Sequence, residues 1–243
     1  MILSYLFTEI RLMFRFKLRL VLSILLPLSF YILFTSIMHV PNVEAEKFNK
    51  MYMYSMATFS LTSFCLISFP LEIIDERQRG WYKCVIHTPL RPIDYFGVKI
   101  YKAMIQFAIA IIVIFGTAAM YNNVEMTLSQ WLVSGVILWV SASLFLTLGL
   151  LLAQINDIQK VSSLGNLLYL ALAILGGLWF PIEMFPSFMQ QLGHITPTYH
   201  LKKVAYDIGQ SGNFAVGSFI VLFAYSIIFL YIALYIRKKR DVT

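Results

Sequence analysis

Six long runs without Asp, Glu, Lys or Arg constrain this chain more than any other feature. An α-helix needs roughly 20 apolar residues to cross a bilayer core, and each backbone amide inside lipid must be paired within its own segment. The sequence therefore predicts an all-α integral membrane protein, a single domain over 1–243 with six transmembrane helices. The charge-free runs are 20–43, 51–71, 103–124, 126–156, 161–182 and 208–236. The predicted spans are 20–40, 51–71, 101–121, 130–153, 163–181 and 214–236.

The composition agrees with a membrane domain. Hydrophobic residues make up 59% of the chain and charged residues only 13%, whereas a typical soluble domain is about 25% charged. The net charge of +7 comes from basic residues that flank the apolar runs. Membrane lipids explain this placement better than nucleic acid does.

The distribution of basic residues predicts the orientation. Six spans place both chain ends on one side, and the segments on that side hold fifteen of the 19 Lys and Arg residues. The positive-inside rule places this side, with both termini, in the cytoplasm. The four basic residues expected outside are Lys47, Lys50, Lys202 and Lys203.

The first 17 residues are predicted to form an interfacial helix before the first span. Ser4, Thr8, Arg11 and Arg15 recur at helical spacing, and apolar residues lie largely opposite. Such a helix lies along the headgroups with its cations towards anionic lipid. The alternative is a simple extension of the first span.

The segment after the fifth span is too apolar for a solvated loop and too short to span. Pairs of Gly and Pro end the fifth span, and Pro197 divides the following stretch into two short helical pieces. We expect a re-entrant helical hairpin over 183–206 that dips into the outer leaflet.

Motifs for chemistry are missing from the sequence. It contains no phosphate-binding GxxxxGK[ST] loop and no HExxH or GxSxG motif. His194 and His200 lie six residues apart with Pro197 between them, so a metal site with Glu183 is disfavoured. We expect no catalytic residue, no metal and no cofactor bound by this chain.

Eight charged residues fall between Glu72 and Asp94. Asp75 and Arg79 form an acid–base pair at i,i+4, Gly80 can end their helix, and a short amphipathic stretch begins at Trp81. Such a helix can fit a groove on another protein. The sequence features alone favour this no more than a connector bound to lipid headgroups.

This segment resembles the first cytoplasmic loop of type-2 ABC exporter permeases. The family pattern is an acidic-Arg-x-x-Gly run followed by Thr-Pro. A second match is a Gly-x-x-Phe-Pro exit from the fifth span, then a Pro, then a Pro-x-x-His turn. The matching residues are Glu76, Arg77, Gly80, Thr88 and Pro89 in the loop and Gly177, Phe180, Pro181, Pro186, Pro197 and His200 in the second half.

The resemblance implies a permease subunit of an ATP-driven exporter in the bacterial cytoplasmic membrane. Two separate ABC ATPase subunits would bind ATP and Mg²⁺, and a second permease copy or paralogue would complete the complex. The 72–95 loop would contain the coupling helix, with Trp81 and Lys83 beside the motif residues. The hairpin with Glu183 would cap the exit. Drugs, antimicrobial peptides and lipid-like molecules are the expected substrates.

Two other functions stay open at this point. A non-transporting sensor or scaffold subunit would share the membrane topology, and an intramembrane enzyme would need catalytic groups that the spans do not show. Small residues, among them Gly149 and Gly165, are candidates for close helix contacts. Tyr52 and Tyr54 are predicted to lie in the headgroup region.

Overall fold

The computed structural model describes residues 2–15, 17–37, 42–87 and 90–241, and this part of the chain is almost entirely helical. Within it lie eleven α-helices, α1 to α11. In chain order they are Ile2–Arg15, Lys17–Ile37, Asn42–Ser63, Phe69–Gln78, Trp81–Ile86, Pro92–Tyr121, Leu128–Leu152, Ile158–Leu175, Ser187–Ile195, Pro197–Ser211 and Val216–Asp241.

Six helices in the described part of the chain are long and apolar enough to cross a membrane, as predicted. They are Leu20–Ile37, Ala45–Gln78, Ile93–Tyr121, Leu128–Leu152, Ile158–Leu175 and Val216–Lys239. The second of these runs through α3 and α4 without a break, so the helix continues past the predicted end at residue 71. The third begins at Ile93, eight residues before the predicted start.

The helix formed by α3 and α4 lies at the centre of the bundle. Most of its apolar window is buried, whereas only a small share of the corresponding windows of α2, α8 and α11 is buried. Between α3 and α4 one π-helical segment, Phe64–Ser68, inserts into the helix. Such insertions shift the helix register and often mark functional positions.

Small residues let two neighbouring helices approach this π-helical segment closely. A Cβ atom on Gly149 would lie 2.1 Å from the Cys65 carbonyl oxygen, and one on Gly165 would lie 2.5 Å from that of Leu66. Both distances are too short for any side chain, so α7 and α8 pack here because these two positions are glycine. The prediction of close contacts at these glycines is confirmed.

The prediction for Tyr52 and Tyr54 is wrong, because both side chains are buried. The Tyr52 hydroxyl donates to the Trp179 carbonyl oxygen at 2.7 Å, and the Tyr54 hydroxyl donates to Ser134 Oγ at 2.7 Å. Each hydroxyl thus has a hydrogen-bond partner inside the bundle, which offsets the cost of burying it.

The N-terminal segment is helical. Its described residues are Ile2–Arg15, and α2 is described from Lys17. Arg11 and Arg15 are exposed, as are the apolar side chains of Leu3, Phe7 and Phe14. Helix α1 therefore presents an apolar surface outwards, which agrees with a position along the headgroups.

Candidate coupling site at the charged end of the bundle

The predicted coupling segment begins with a sharp turn after α4. Asp75 and Arg79 form the expected i,i+4 ion pair at 2.9 Å. Gly80 then adopts a φ of 75°, a left-handed conformation that glycine reaches without steric cost. The turn ends α4, and the short helix α5 begins at Trp81.

An ion network joins three elements beside this turn. The Lys99 ammonium of α6 lies 2.6 Å from Glu72 Oε1 of α4 and 2.8 Å from Glu9 Oε1 of α1, and it also donates to Glu76. Lys102 Nζ lies 2.9 Å from Glu9 Oε2 and 2.8 Å from Glu72 Oε1. The network therefore holds the N-terminal helix against the end of the central helix.

The network is largely shielded from solvent. The side chains of Lys99 and Glu9 are only 2% and 1% exposed, whereas those of Glu72 and Glu76 remain 23% and 16% exposed. Buried charges are costly unless they are paired. Removing one member would therefore leave its partners uncompensated.

Three carboxylates also come close enough together to suggest a cation site. One oxygen each from Glu9, Glu72 and Glu76 lies within 4.8 Å of the others. The two lysine ammonium groups already occupy the space that a metal ion would need. The arrangement is therefore better described as a salt-bridge network than as a metal centre.

A small apolar core attaches α5 to the same site. Tyr5 of α1, Val85 of α5, and Tyr95 and Val98 of α6 form this core. The Tyr95 hydroxyl donates to Glu76 Oε2 at 2.6 Å, which connects the core to the ion network. Burial raises the pKa of the Tyr5 hydroxyl well above its usual range, so this side chain stays neutral.

The C-terminal helix reaches this core too. Arg237 of α11 donates to the Tyr82 hydroxyl at 3.2 Å, and its guanidinium lies 5.5 Å from the centre of the Phe96 ring. Helices α1 and α11 thus both reach one end of the bundle. We call this region, with the end of α4, α5, the start of α6 and the turn at 153–157, the charged end.

The predicted coupling residues do not share one surface. Glu76 lies inside the ion network, and Arg77 donates to the Ala153 carbonyl oxygen at 3.0 Å and to Asn156 Oδ1 at 3.1 Å. Trp81 is 42% exposed. Thr88, Pro89 and the side chain of Lys83 lie outside the described residues. Glu76 and Arg77 thus fix the turn within the protein, while Trp81 faces outwards.

Sequence reasoning missed four members of the network: Glu9, Glu72, Lys99 and Lys102. One signal was available, because Glu9 is the only acidic residue among the first 43 and lies among basic neighbours. Tyr5, Glu9 and Met13 also follow one another at i,i+4 and are the buried residues of α1. The predicted amphipathic pattern of α1 described its exposed residues and omitted this stripe.

The hairpin end lies at the opposite end of the central helices. Gly177, with a φ of 65°, follows the end of α8. Pro181 precedes a turn of 3₁₀-helix at Ile182–Met184 that contains Glu183. Pro186 precedes α9, and Pro197 is the first residue of α10. The two predicted helical pieces over 183–206 are therefore present, and α10 continues to Ser211.

Two polar side chains anchor α10. The His200 ring nitrogen Nδ1 lies 3.1 Å from Ser218 Oγ of α11, and burial lowers the pKa of His200. Lys202 is buried and donates to the Gly177 carbonyl oxygen at 2.8 Å. Burial lowers the pKa of Lys202 to about 8. Phe180 is exposed, and its ring centre lies 6.1 Å from that of Phe34.

A family model now identifies this arrangement. Residues 35–235 match the model described as ABC-2 family transporter protein. The chain belongs to the ABC-2 transporter family. The resemblance found in the sequence is confirmed, and it makes this multi-pass membrane protein the membrane subunit of a transporter that works with ATPase partners.

A curated relative agrees with this assignment. The ABC-2 permease is 28% identical over 219 residues to a Bacillus subtilis (strain 168) protein named "Putative transport permease YvfS". The match covers 90% of this chain and 89% of the relative. The likeness therefore extends over most of both chains.

Proposed function

We propose that this ABC-2 permease is the membrane subunit of an ATP-driven exporter for hydrophobic or amphipathic molecules. Helix α5 is the observation that carries the proposal. It is short, it exposes Trp81 and Cys84, and its inner side packs through Val85 on α1 and α6. An exposed aromatic side chain on a firmly held helix is a suitable anchor for a protein groove.

The connections of α5 explain how docking could drive transport. Only the turn at Gly80 separates α5 from the helix that continues through α4 and α3. After α5 the chain leads into α6, whose Lys99 and Lys102 both form ion pairs with Glu72 of α4. A displacement of α5 by an ATPase would therefore act on two membrane helices and on α1 at once, and it would favour one packing of the bundle over another.

The charged end is proposed to face the bacterial cytoplasm. It carries the N-terminal basic residues, the basic residues around α5 and those at the end of α11, in agreement with the positive-inside rule. Soluble ATPases would reach this end only from the cytoplasm. The direction of transport, export with the hairpin at the exit, is proposed on the resemblance of the two motifs to exporter permeases.

A complex of two permease chains and two ATPases is proposed on the basis of the unequal burial of the helices. Helix α3 is packed inside the bundle, whereas α2 and α11 each expose a series of large apolar side chains. Lipid can cover part of this area, and a second copy or a paralogue can cover the rest. The apolar helices also suit a substrate that is itself hydrophobic or amphipathic.

The test must avoid Glu76 and Arg77, because changing either would disturb contacts inside the permease. We therefore compare Trp81→Ala with Phe188→Ala, which removes an exposed aromatic ring at the hairpin end. The tagged permease is purified in mild detergent, and co-purified ATPase and its ATP hydrolysis are measured.

We expect an ABC ATPase to co-purify with the unaltered chain and with Phe188→Ala, and to be largely lost with Trp81→Ala. A stable chain that purifies without any ATPase under these conditions would refute the transporter assignment and favour a sensor or scaffold role. Equal recovery of ATPase with both variants would refute docking through Trp81 while keeping the partner.

A further inference from the structure

A cavity of about 840 Å³ opens at the charged end beside the ion network. It lies between α1, the end of α4, α5 and the start of α6, and the first turn of α2 also contributes to its wall. Its volume falls within the range of about 300 to 1,000 Å³ that is usual for small-molecule sites. The cavity is therefore large enough for a ligand of that class.

One wall of the cavity is acidic. Four carboxylates line it, those of Glu9, Glu72, Asp75 and Glu76. Among the described side chains here, three cations oppose them: Arg79 and Lys102 in the wall and Lys99 directly behind. The described groups thus carry one negative charge more than positive charges, which favours a cationic ligand over a phosphate or a carboxylate.

Carboxylate oxygens at this wall remain accessible. The side chains of Asp75, Glu72 and Glu76 are 41%, 23% and 16% exposed, although each already has at least one cationic partner. A protonated amine has three N–H donors and no acceptor. A ligand with a protonated amine therefore suits this wall of carboxylate oxygens better than a ligand with a hydroxyl group does.

The opposite wall is apolar. Leu12 and Met13 of α1 and Leu18 and Leu20 of α2 line it. Leu18 is 70% exposed, so this wall continues outwards onto the apolar surface of α2. A hydrocarbon chain could follow these side chains from the membrane towards the carboxylates.

We propose that this cavity binds a protonated amine carried on a hydrocarbon chain, with the amine at the acidic wall and the chain along α1 and α2. As a statement about substrate class, the inference rests on the proposed export function. The binding itself needs no ATPase, so it can be tested on the full permease alone. The amine could belong to a lipid headgroup or to a free amphiphile.

Cys84 supplies a reporter, because it lines the cavity and is exposed, whereas Cys65 is buried. The full chain is placed in phosphatidylcholine nanodiscs, and the rate of Cys84 alkylation by a water-soluble maleimide is measured. We expect dodecylamine to slow this rate at least about fivefold, and dodecanol at the same concentration to leave it nearly unchanged. The double variant Cys84→Ser/Ser211→Cys moves the thiol to the hairpin end and should show no protection.

Two variants with matched controls test the location. Thr8→Trp fills the cavity without removing a charge and should abolish the protection, whereas Ser4→Trp, one turn earlier and outside the cavity, should retain it. Asp75→Asn should weaken dodecylamine binding severalfold. Glu46→Gln, which removes an exposed carboxylate from the i,i+4 pair with Lys50, should not.

The outcomes distinguish the two possible sources of the amine. They also distinguish a failure of this inference from a failure of the proposed export function. Protection by phosphatidylethanolamine in the nanodisc would assign the site to a lipid amine, and protection by dodecylamine alone to a free amphiphile. Equal protection by dodecanol, or protection that survives Thr8→Trp, would overturn the inference. If an ATPase binds and no amine protects Cys84, only the inference fails; if amines protect Cys84 and no ATPase binds, only the export function fails.

Discussion

Replacing Lys99 with methionine tests the ion network most directly. Lys99 contacts all three carboxylates of the network, and its side chain is only 2% exposed. Without it, carboxylate oxygens within 4.8 Å of one another repel by roughly 3 to 4 kcal/mol per pair at an effective dielectric constant of about 20. Lys102 still compensates part of this charge, because it remains within hydrogen-bonding distance of Glu9 and Glu72.

We therefore expect Lys99→Met to lower the free energy of unfolding by about 3 to 5 kcal/mol, the usual cost of breaking a buried ion pair. For a domain of about this size, that corresponds to a fall in Tm on the order of 6 to 20 °C. The assay is thermal unfolding in detergent, followed by maleimide fluorescence at buried Cys65 in a Cys84→Ser background.

Two further variants give the measurement its controls. Lys160→Met removes an exposed lysine from a loose pair with Asp157 at 3.9 Å and should cost less than about 1 kcal/mol. Adding Glu76→Gln to Lys99→Met restores the charge balance of the network and should recover much of the loss. If Lys99→Met unfolds within a few degrees of Lys160→Met, the network does not hold α1 to the bundle and the reasoning is refuted.

Two other predictions concern the middle of the bundle and the hairpin end. Gly149→Ala should lower the free energy of unfolding by at least the roughly 1 to 3 kcal/mol typical of overpacking, and with it the Tm, because the new Cβ would meet the Cys65 carbonyl oxygen. Gly116 has open space around it, so Gly116→Ala should leave the Tm unchanged or raise it. Burial lowers the pKa of Lys202 to about 8, below about 10.4 in the unfolded chain. Between these values the unfolded chain binds the extra proton, so stability should rise with pH by roughly 2 to 3 kcal/mol. The rise is measured from about pH 7.5 to about pH 10 as the difference in unfolding free energy between the unaltered protein and Lys202→Met, because buried tyrosines with a raised pKa lower the stability of both chains alike near pH 10. Lys203→Met should follow the pH dependence of the unaltered protein, and a pH-independent difference for Lys202→Met would contradict the reasoning.

Much of the charged end could be read from the sequence, but the partners of its residues could not. The pair of Asp75 and Arg79 is local, and its helical spacing predicted it correctly. Glu76 and Arg77 were predicted as part of a docking surface, yet their side chains contact residues about 20 and about 80 positions away. No spacing along the chain indicates such a contact, because it depends on how the helices pack.

The sequence by itself determined that this chain is a membrane protein and how many helices span the bilayer. Both follow from a local requirement: an apolar run in lipid must satisfy its own backbone hydrogen bonds, whatever surrounds it. Tertiary structure alone decided which faces of those helices are inside, because runs that are apolar all round carry no periodic signal. It therefore decided that Tyr52 and Tyr54 are buried and that Glu9 lies between Lys99 and Lys102, some 90 residues away.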